Sequence, residues 1–322
     1  MLNIPDILIQ EFSLQPWQVN NTLALLAEGG TIPFIARYRK ERTGELNEIQ
    51  LRDLVERHSY LTELEDRKAT VLASIEEQGK LTDELRAQIE GCMQKTALED
   101  LYLPYKPKKR TRATMAREKG LEPLAEAIRA WNVPACTSAD LETEAAGFID
   151  AEKGVAAAEE ALAGASDILA EETSEKAALR AHVREEFLRS GVFVSRVKDE
   201  HPEGSTKYEM YRDYSVPVRE IAPHNMLALR RGETEGVLFF DLQFDETGLL
   251  DWIEAQESRS GAKEIRAFYR TMIEDAFHRL MKNTLVGEVR YDKKLDADMA
   301  SIQTFEVNLR ELLLSAPAGM KP

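Results

Sequence analysis

The residues best equipped for chemistry lie in one short basic segment, Leu103-Pro104-Tyr105-Lys106-Pro107-Lys108-Lys109-Arg110-Thr111-Arg112. Between Lys106 and Lys119 seven Lys/Arg face one Glu, a local charge of +6 inside a chain whose formal net charge is −15. Lysine and arginine side chains gain affinity for a phosphate backbone by releasing its counterions, and an acidic surface repels a polyanion elsewhere. Nucleic-acid binding is therefore expected to be local or weak. The candidate contacts are Lys106, Lys108, Lys109, Arg110 and Arg112, with Pro104 and Pro107 stiffening the segment and Tyr105 available to stack on a base. A second role stays open: the same cations would neutralise acidic helices of their own molecule.

A second cluster, Arg37, Arg39, Lys40 and Arg42, lies at the end of and just beyond the run Thr31-Ile32-Pro33-Phe34-Ile35-Ala36-Arg37-Tyr38-Arg39-Lys40. Helix, glycine turn, short helix is the order of a helix-turn-helix, whose second helix reads a DNA groove. The same pattern also serves as a plain packing unit, and Phe34, Ile35 and Tyr38 are expected to face a core.

Other chemistries find little support. His58 falls on an apolar helical stripe and reads as a hydrogen-bonded core histidine. His201 sits in a loop with Glu200 and Glu203, too few ligands for a firm metal site. His182, His224 and His278 lack partners at catalytic spacing. The pairs Glu171-Glu172 and Glu185-Glu186 read as solvated helix faces, and Tyr208, Tyr211 and Tyr214 as one packed face of a short helix. Cys92 and Cys136 lack the spacing of a metal or redox pair. There is no Gly-rich phosphate loop and no nucleophile motif. The expectation is no catalytic residue, no metal, no cofactor and no enzyme activity.

The elements that must position the basic residues are helical. Glycine (17) and proline (12) are sparse among 322 residues, and Ala, Leu, Glu and Arg are frequent, a composition that favours helix. Asn47 caps a helix whose stripe runs through Leu51, Leu54, His58, Leu61, Lys68, Leu72 and Ile75 to Gly79, with Lys68 its charged interruption. At 1.5 Å per residue it spans about 45 Å, too long for one small core. Thr82 caps the next helix, and Thr96 with Glu99 reads as a capping box. The Ala- and Glu-rich stretch 154–190 predicts a tightly packed helical hairpin, and a loop near 199–205 suggests a boundary. The segment from Gly236 to Leu242 is the best strand. Long amphipathic helices return over 263–285 and 296–314.

Three segments carry a family resemblance: the run from Thr31 to Glu41, the segment Leu98-Glu99-Asp100-Leu101-Tyr102-Leu103-Pro104-Tyr105-Lys106-Pro107-Lys108, and Ala316-Pro317-Ala318-Gly319. They resemble the N-terminal half of the bacterial Tex (transcription accessory protein) family, along essentially the whole chain. The resemblance implies a helical region with a helix-turn-helix-like element, followed in the family by a ribonuclease-H-like domain, helix-hairpin-helix motifs and a C-terminal OB fold that binds RNA. It implies nucleic-acid binding and a role in transcription, and likens the family to the core of a eukaryotic elongation factor that is also a histone chaperone. By that comparison the chain is an N-terminal fragment whose own C-terminal domains are absent. One departure stands out: the family's Ser-His-Arg-Ala-type segment near Pro223–Ala228 is interrupted here by Asn225-Met226.

The combined expectation is an all-α protein, mainly helical and multi-lobed, with one long helix, a helix-turn-helix-like element and at most one short strand or hairpin near 236–243. Its parts are a Tex-like N-terminal helical domain (1–198), a central helical region (199–314) and a linker (315–322). The expected function is a non-enzymatic, cytoplasmic scaffold that adds nucleic-acid contacts, RNA or DNA, and associates with the transcription machinery but no membrane. The alternative is a pure protein-interaction scaffold without nucleic-acid contact.

Overall fold

A computed structural model describes residues 2–315, so the Ala316-Pro317-Ala318-Gly319 motif and all of the expected linker beyond Ser315 lie outside the described residues. The chain divides into two compact units, Met1–Pro107 and Lys108–Pro322. The position near 199 falls inside the second of these.

The first unit is helical throughout: α1 (Ile4–Phe12), α2 (Pro16–Ala27), α3 (Ile32–Tyr38), α4 (Lys40–Thr43), α5 (Glu48–Glu77), α6 (Asp83–Gly91) and α7 (Lys95–Tyr102), closed by a 3-10 turn at Leu103–Tyr105. The start of α5 is set by a reciprocal capping box, in which Asn47 Oδ1 accepts from the Gln50 amide at 2.9 Å and Gln50 Oε1 accepts from the Asn47 amide at 3.0 Å. These bonds satisfy amides that the first helical turn leaves without partners.

One face of α5 supplies three small cores in succession. Leu51 joins Leu25, Ile35 and Leu46; Leu54 and Leu61 join Leu8 and Val19; Leu64, Val71 and Ile75 join Ile89, Leu98 and Tyr102. The helix is thus longer than any single core it serves. His58 and Leu72 are only half-buried, and Leu64 and Val71 take the core positions instead. Lys68 is buried in that stripe because its ammonium donates to the Glu90 carbonyl at 2.8 Å and pairs with Glu65 at 2.9 Å. At α7 the expected Thr96–Glu99 box does not form. The helix starts two residues earlier, after Gln94, and Glu99 instead receives a bidentate pair from Arg67 at 2.6 and 3.0 Å.

The second unit contains α8 (Arg112–Glu118), α9 (Glu122–Trp131), α10 (Leu141–Ala146), α11 (Ala158–Ser174), α12 (Ala177–Ser190), β1 (Val192–Val197), β2 (Asp213–Pro217), α13 (Pro223–Thr234), β3 (Leu238–Gln243), α14 (Glu246–Glu257) and α15 (Lys263–Asp275), then a π-helical turn at Ala276–Met281 and α16 (Lys282–Leu314). One continuous core runs from Ala113 to Ala297. The stretch expected to be a hairpin forms α11 and α12 in succession, and the close approach of α11 is to the turn between α8 and α9: a Cβ placed on Gly164 would come within 2.3 Å of the Leu121 side chain.

The mainly helical expectation holds, and the predicted strand is β3. It belongs to a three-stranded antiparallel sheet ordered β2-β1-β3, with Val194 opposite both Ser215 and Asp241. The two added strands were not expected, and they overturn the shared helix expected for the tyrosines, although Tyr208 and Tyr211 are buried in the core and Tyr214 packs against it. Tyr208 precedes a 3-10 turn that contains Tyr211, whereas Tyr214 lies on β2. The Tyr211 hydroxyl donates to Asn225 Oδ1 at 3.0 Å, and Asn225 Nδ2 donates to the Tyr214 hydroxyl at 2.9 Å. Asn225, the residue that interrupts the family-type segment, therefore ties α13 to both rings, and Met226 beside it is fully buried.

Candidate nucleic-acid interface

The basic segment is held at each end by its own unit. In the first unit, Gln78 Nε2 donates to the Tyr105 carbonyl at 2.8 Å, and the Tyr105 ring packs against the cluster of Leu64, Ile89 and Leu98. Tyr105 is a half-buried packing residue and not the free stacking ring that the sequence suggested. In the second unit, Thr111 caps α8 by accepting from the Thr114 amide at 3.0 Å.

Two of the five cations are engaged internally. Lys108 Nζ lies 3.3 Å from Glu171 and 2.5 Å from Glu175. Arg110 pairs with Glu118 at 2.8 Å on open surface. Lys106, Lys109 and Arg112 are exposed and form no ion pair among the described residues. Arg112 still acts at a distance, since its charge helps hold the Asp275 carboxyl down, after the larger effect of the Arg279 hydrogen bond.

The carboxylates that meet this segment are not the solvated face expected for Glu171-Glu172. Glu171 is buried and receives Arg117 as well as Lys108, while Glu172 receives Arg117 at 3.4 Å and Arg129 at 2.6 Å. Burial works to raise the Glu171 carboxyl, but hydrogen bonds from Thr111, Arg117 and Lys108 outweigh it and leave the group below its ordinary value. At Glu175 burial prevails over Lys108 and pushes the carboxyl up. These pairs join α8, α9 and α11 through residues more than forty positions apart, which is why local spacing does not reveal them.

The second cluster occupies the turn from α3 to α4. Gly29 supplies the left-handed backbone after α2, with φ +86°. Ile35 and Ala36 are buried, but Phe34 is 42% and Tyr38 62% exposed, which corrects the expectation that all the apolar residues of α3 face a core. With 100° per residue, Ile32, Ile35 and Ala36 share one side of the helix, and Phe34, Arg37 and Tyr38 the other. Arg37 and Lys40 are exposed without an ion pair among the described residues, and the Arg39 guanidinium lies 5.1 Å over the Phe34 ring. Arg42 makes a long, exposed pair with Glu28 at 3.8 Å.

Elsewhere, His182 stacks on Trp252 at 3.5 Å beside an open cleft of about 460 Å³ lined also by Glu186 and Phe244. No group of three or more His, Cys, Asp or Glu among the described residues is placed to hold a metal. No helix among them is long and apolar enough to cross a membrane.

Comparison with known proteins adds two family-model matches and three relatives. Residues 2–76 match the family model described as Tex-like protein N-terminal domain, and residues 137–305 the one described as Tex central region-like. The chain is 42% identical to the transcriptional accessory protein Tex of Neisseria gonorrhoeae, over 99% of this chain and 42% of that protein. It is 42% identical to protein YhgF of Escherichia coli, over 98% of this chain and 41% of that protein. Similarity extends to the human S1 RNA-binding domain-containing protein 1, at 27% identity over 97% of this chain and 32% of that protein. The chain thus spans well under half the length of these relatives.

Proposed function

Because the chain belongs to the Tex family, we propose that it is a non-enzymatic helical module of a transcription accessory protein, one that adds phosphate contacts through its unpaired cations. The observation that carries this reading is the division of the basic residues. Lys108 and Arg110 have carboxylate partners, whereas Lys106, Lys109 and Arg112, with Arg37 and Lys40, stand exposed without one among the described residues, on a chain of net charge −15. Exposed cations without a partner on an acidic surface are positioned to exchange solvent counterions for a phosphate backbone. The names of the relatives, a transcriptional accessory protein and an S1 RNA-binding domain protein, point the same way.

A gel-shift titration on a labelled RNA, from about 50 to 200 mM salt, tests the reading. The wild-type chain is expected to bind with a salt slope that falls by about two to three when Lys106, Lys109 and Arg112 become Ala. An unchanged slope rejects the basic segment as the contact.

A second reading has its own observation. Leu295, Ile302, Phe305, Leu309, Leu312 and Leu313 leave an apolar stripe exposed along the last turns of α16, as a scaffold docking on the transcription machinery without nucleic acid would require. Absence of any salt-sensitive retention in the same titration favours this alternative.

A further inference from the structure

We propose that Phe34 and Tyr38 form a base-stacking platform for single-stranded nucleic acid, flanked by Arg37, Arg39 and Lys40 as its phosphate contacts. The proposal rests on the nucleic-acid reading above and assigns it a second, separate site with a stated ligand class.

The two rings stand one helical turn apart on α3, with centroids 5.5 Å apart and planes tilted by 45°, and both are substantially exposed. They lie opposite the buried Ile35 and Ala36, so the fold of this unit does not depend on them. Arg39 covers one side of Phe34 from 5.1 Å, and its Nη1 donates to the Tyr38 backbone carbonyl at 3.0 Å, which holds the guanidinium at the Phe34 ring. Trp17, 48% exposed, lies against the end of α4: a Cβ on Gly44, whose φ is +68°, would fall 2.7 Å from its ring.

Charge selects the ligand. From Arg37 to Arg42 four cations face Glu41 alone in an otherwise acidic chain, so the patch offers positive potential and π-faces together. That combination is how single strands are held: bases stack on aromatic rings while cations follow the backbone. A duplex is a poor fit, because its bases are already stacked and groove reading calls for polar side chains presented to base edges by an inserted helix. Here α3 spans seven residues, opens with Ile32-Pro33 and presents rings and arginine outward.

Fluorescence anisotropy with labelled 20-residue oligo-U, oligo-dT and a 20-base-pair duplex tests this on the full chain. Wild type is expected to prefer both single strands to the duplex. The Phe34→Ala/Tyr38→Ala variant should lose about 30-fold or more on the single strands, as two lost stacking contacts imply, with duplex affinity and the thermal unfolding midpoint unchanged. Phe34→Leu/Tyr38→Leu, which keeps apolar bulk and removes the π-faces, should lose as much. Equal loss on oligo-U and oligo-dT identifies stacking without sugar recognition; a loss confined to one identifies that nucleic acid as the ligand. Single-strand affinity unchanged in both aromatic variants overturns the platform. If the platform variants lose binding while Lys106→Ala/Lys109→Ala/Arg112→Ala does not, the basic-segment reading fails and the platform stands. Binding to none of the three probes overturns both.

Discussion

Lys108, which the sequence offers as a cation for phosphate, points its ammonium at Glu175 from 2.5 Å and so ties the start of the second unit to the end of α11. Glu171 completes the arrangement at 3.3 Å. The lysine side chain is 27% exposed and the two carboxylates 10% and 12%. These groups are largely shielded from water, so each needs the other more than a surface pair would.

Replacing Lys108 by Ala is therefore expected to destabilise the chain by about 1–3 kcal/mol, the usual cost of leaving a partly buried charge without its partner. Lys109→Ala should leave stability within about 0.5 kcal/mol. Urea titrations of both variants make the comparison, and oligonucleotide affinity should respond in the opposite order.

Lys68 gives a stronger case. Its ammonium donates to the Glu90 carbonyl across the α5–α6 contact, and the Glu65 carboxylate sits beside it. Lys68→Ala removes both interactions and opens a void, with an expected cost of about 3–5 kcal/mol. Lys68→Met keeps the volume and should cost less. The two urea midpoints, compared at equal m-value, check the order.

Glu209 predicts an acid response. The bidentate hydrogen bonds from Arg212 hold its carboxyl down to about 2, against an ordinary 4.5. A folded-state value below the unfolded one means that the contribution is present above about 4.5 and is lost as pH falls toward 2. Glu171 and Asp275 are also lowered and act in the same sense, whereas Glu175 and Asp167, raised by burial, are relieved as pH falls. A carboxyl NMR titration should find the Glu209 midpoint near 2 and see it move up toward the ordinary range in Arg212→Ala.

Along α16 the two ends should behave differently. Leu285 and Val289 are 0% and 1% exposed, whereas Ile302 and Phe305 are 61% and 67% exposed. Leu285→Ala should cost about 2–5 kcal/mol. Ile302→Lys with Phe305→Lys should move the stability of this chain by no more than about 0.5 kcal/mol each. Thermal midpoints by circular dichroism distinguish the two outcomes.

Much of the helical framework was legible because helix signals are local. Asn47 and Gln50 meet across three residues, the stripe of α5 repeats every three or four, and β3 announces itself as a short apolar and aromatic run after Gly236. The missed strands lacked such signals. β2 is recognisable only as the partner of β1, about twenty residues earlier, and its tyrosine shares a three-residue spacing with two others that lie outside the strand.

For the candidate interface, the sequence by itself determined that positive charge collects at Lys106–Arg112 and Arg37–Arg42, since side-chain charge is a property of composition. It also determined the family, whose long motifs are read in linear order. Tertiary structure alone decided which of those charges have partners, because Lys108 meets its carboxylates across more than sixty residues of chain. It decided likewise that Phe34 and Tyr38 face outward, since Ile35 and Ala36 take the inward positions when α3 docks on its core, and a seven-residue helix has only one side to bury.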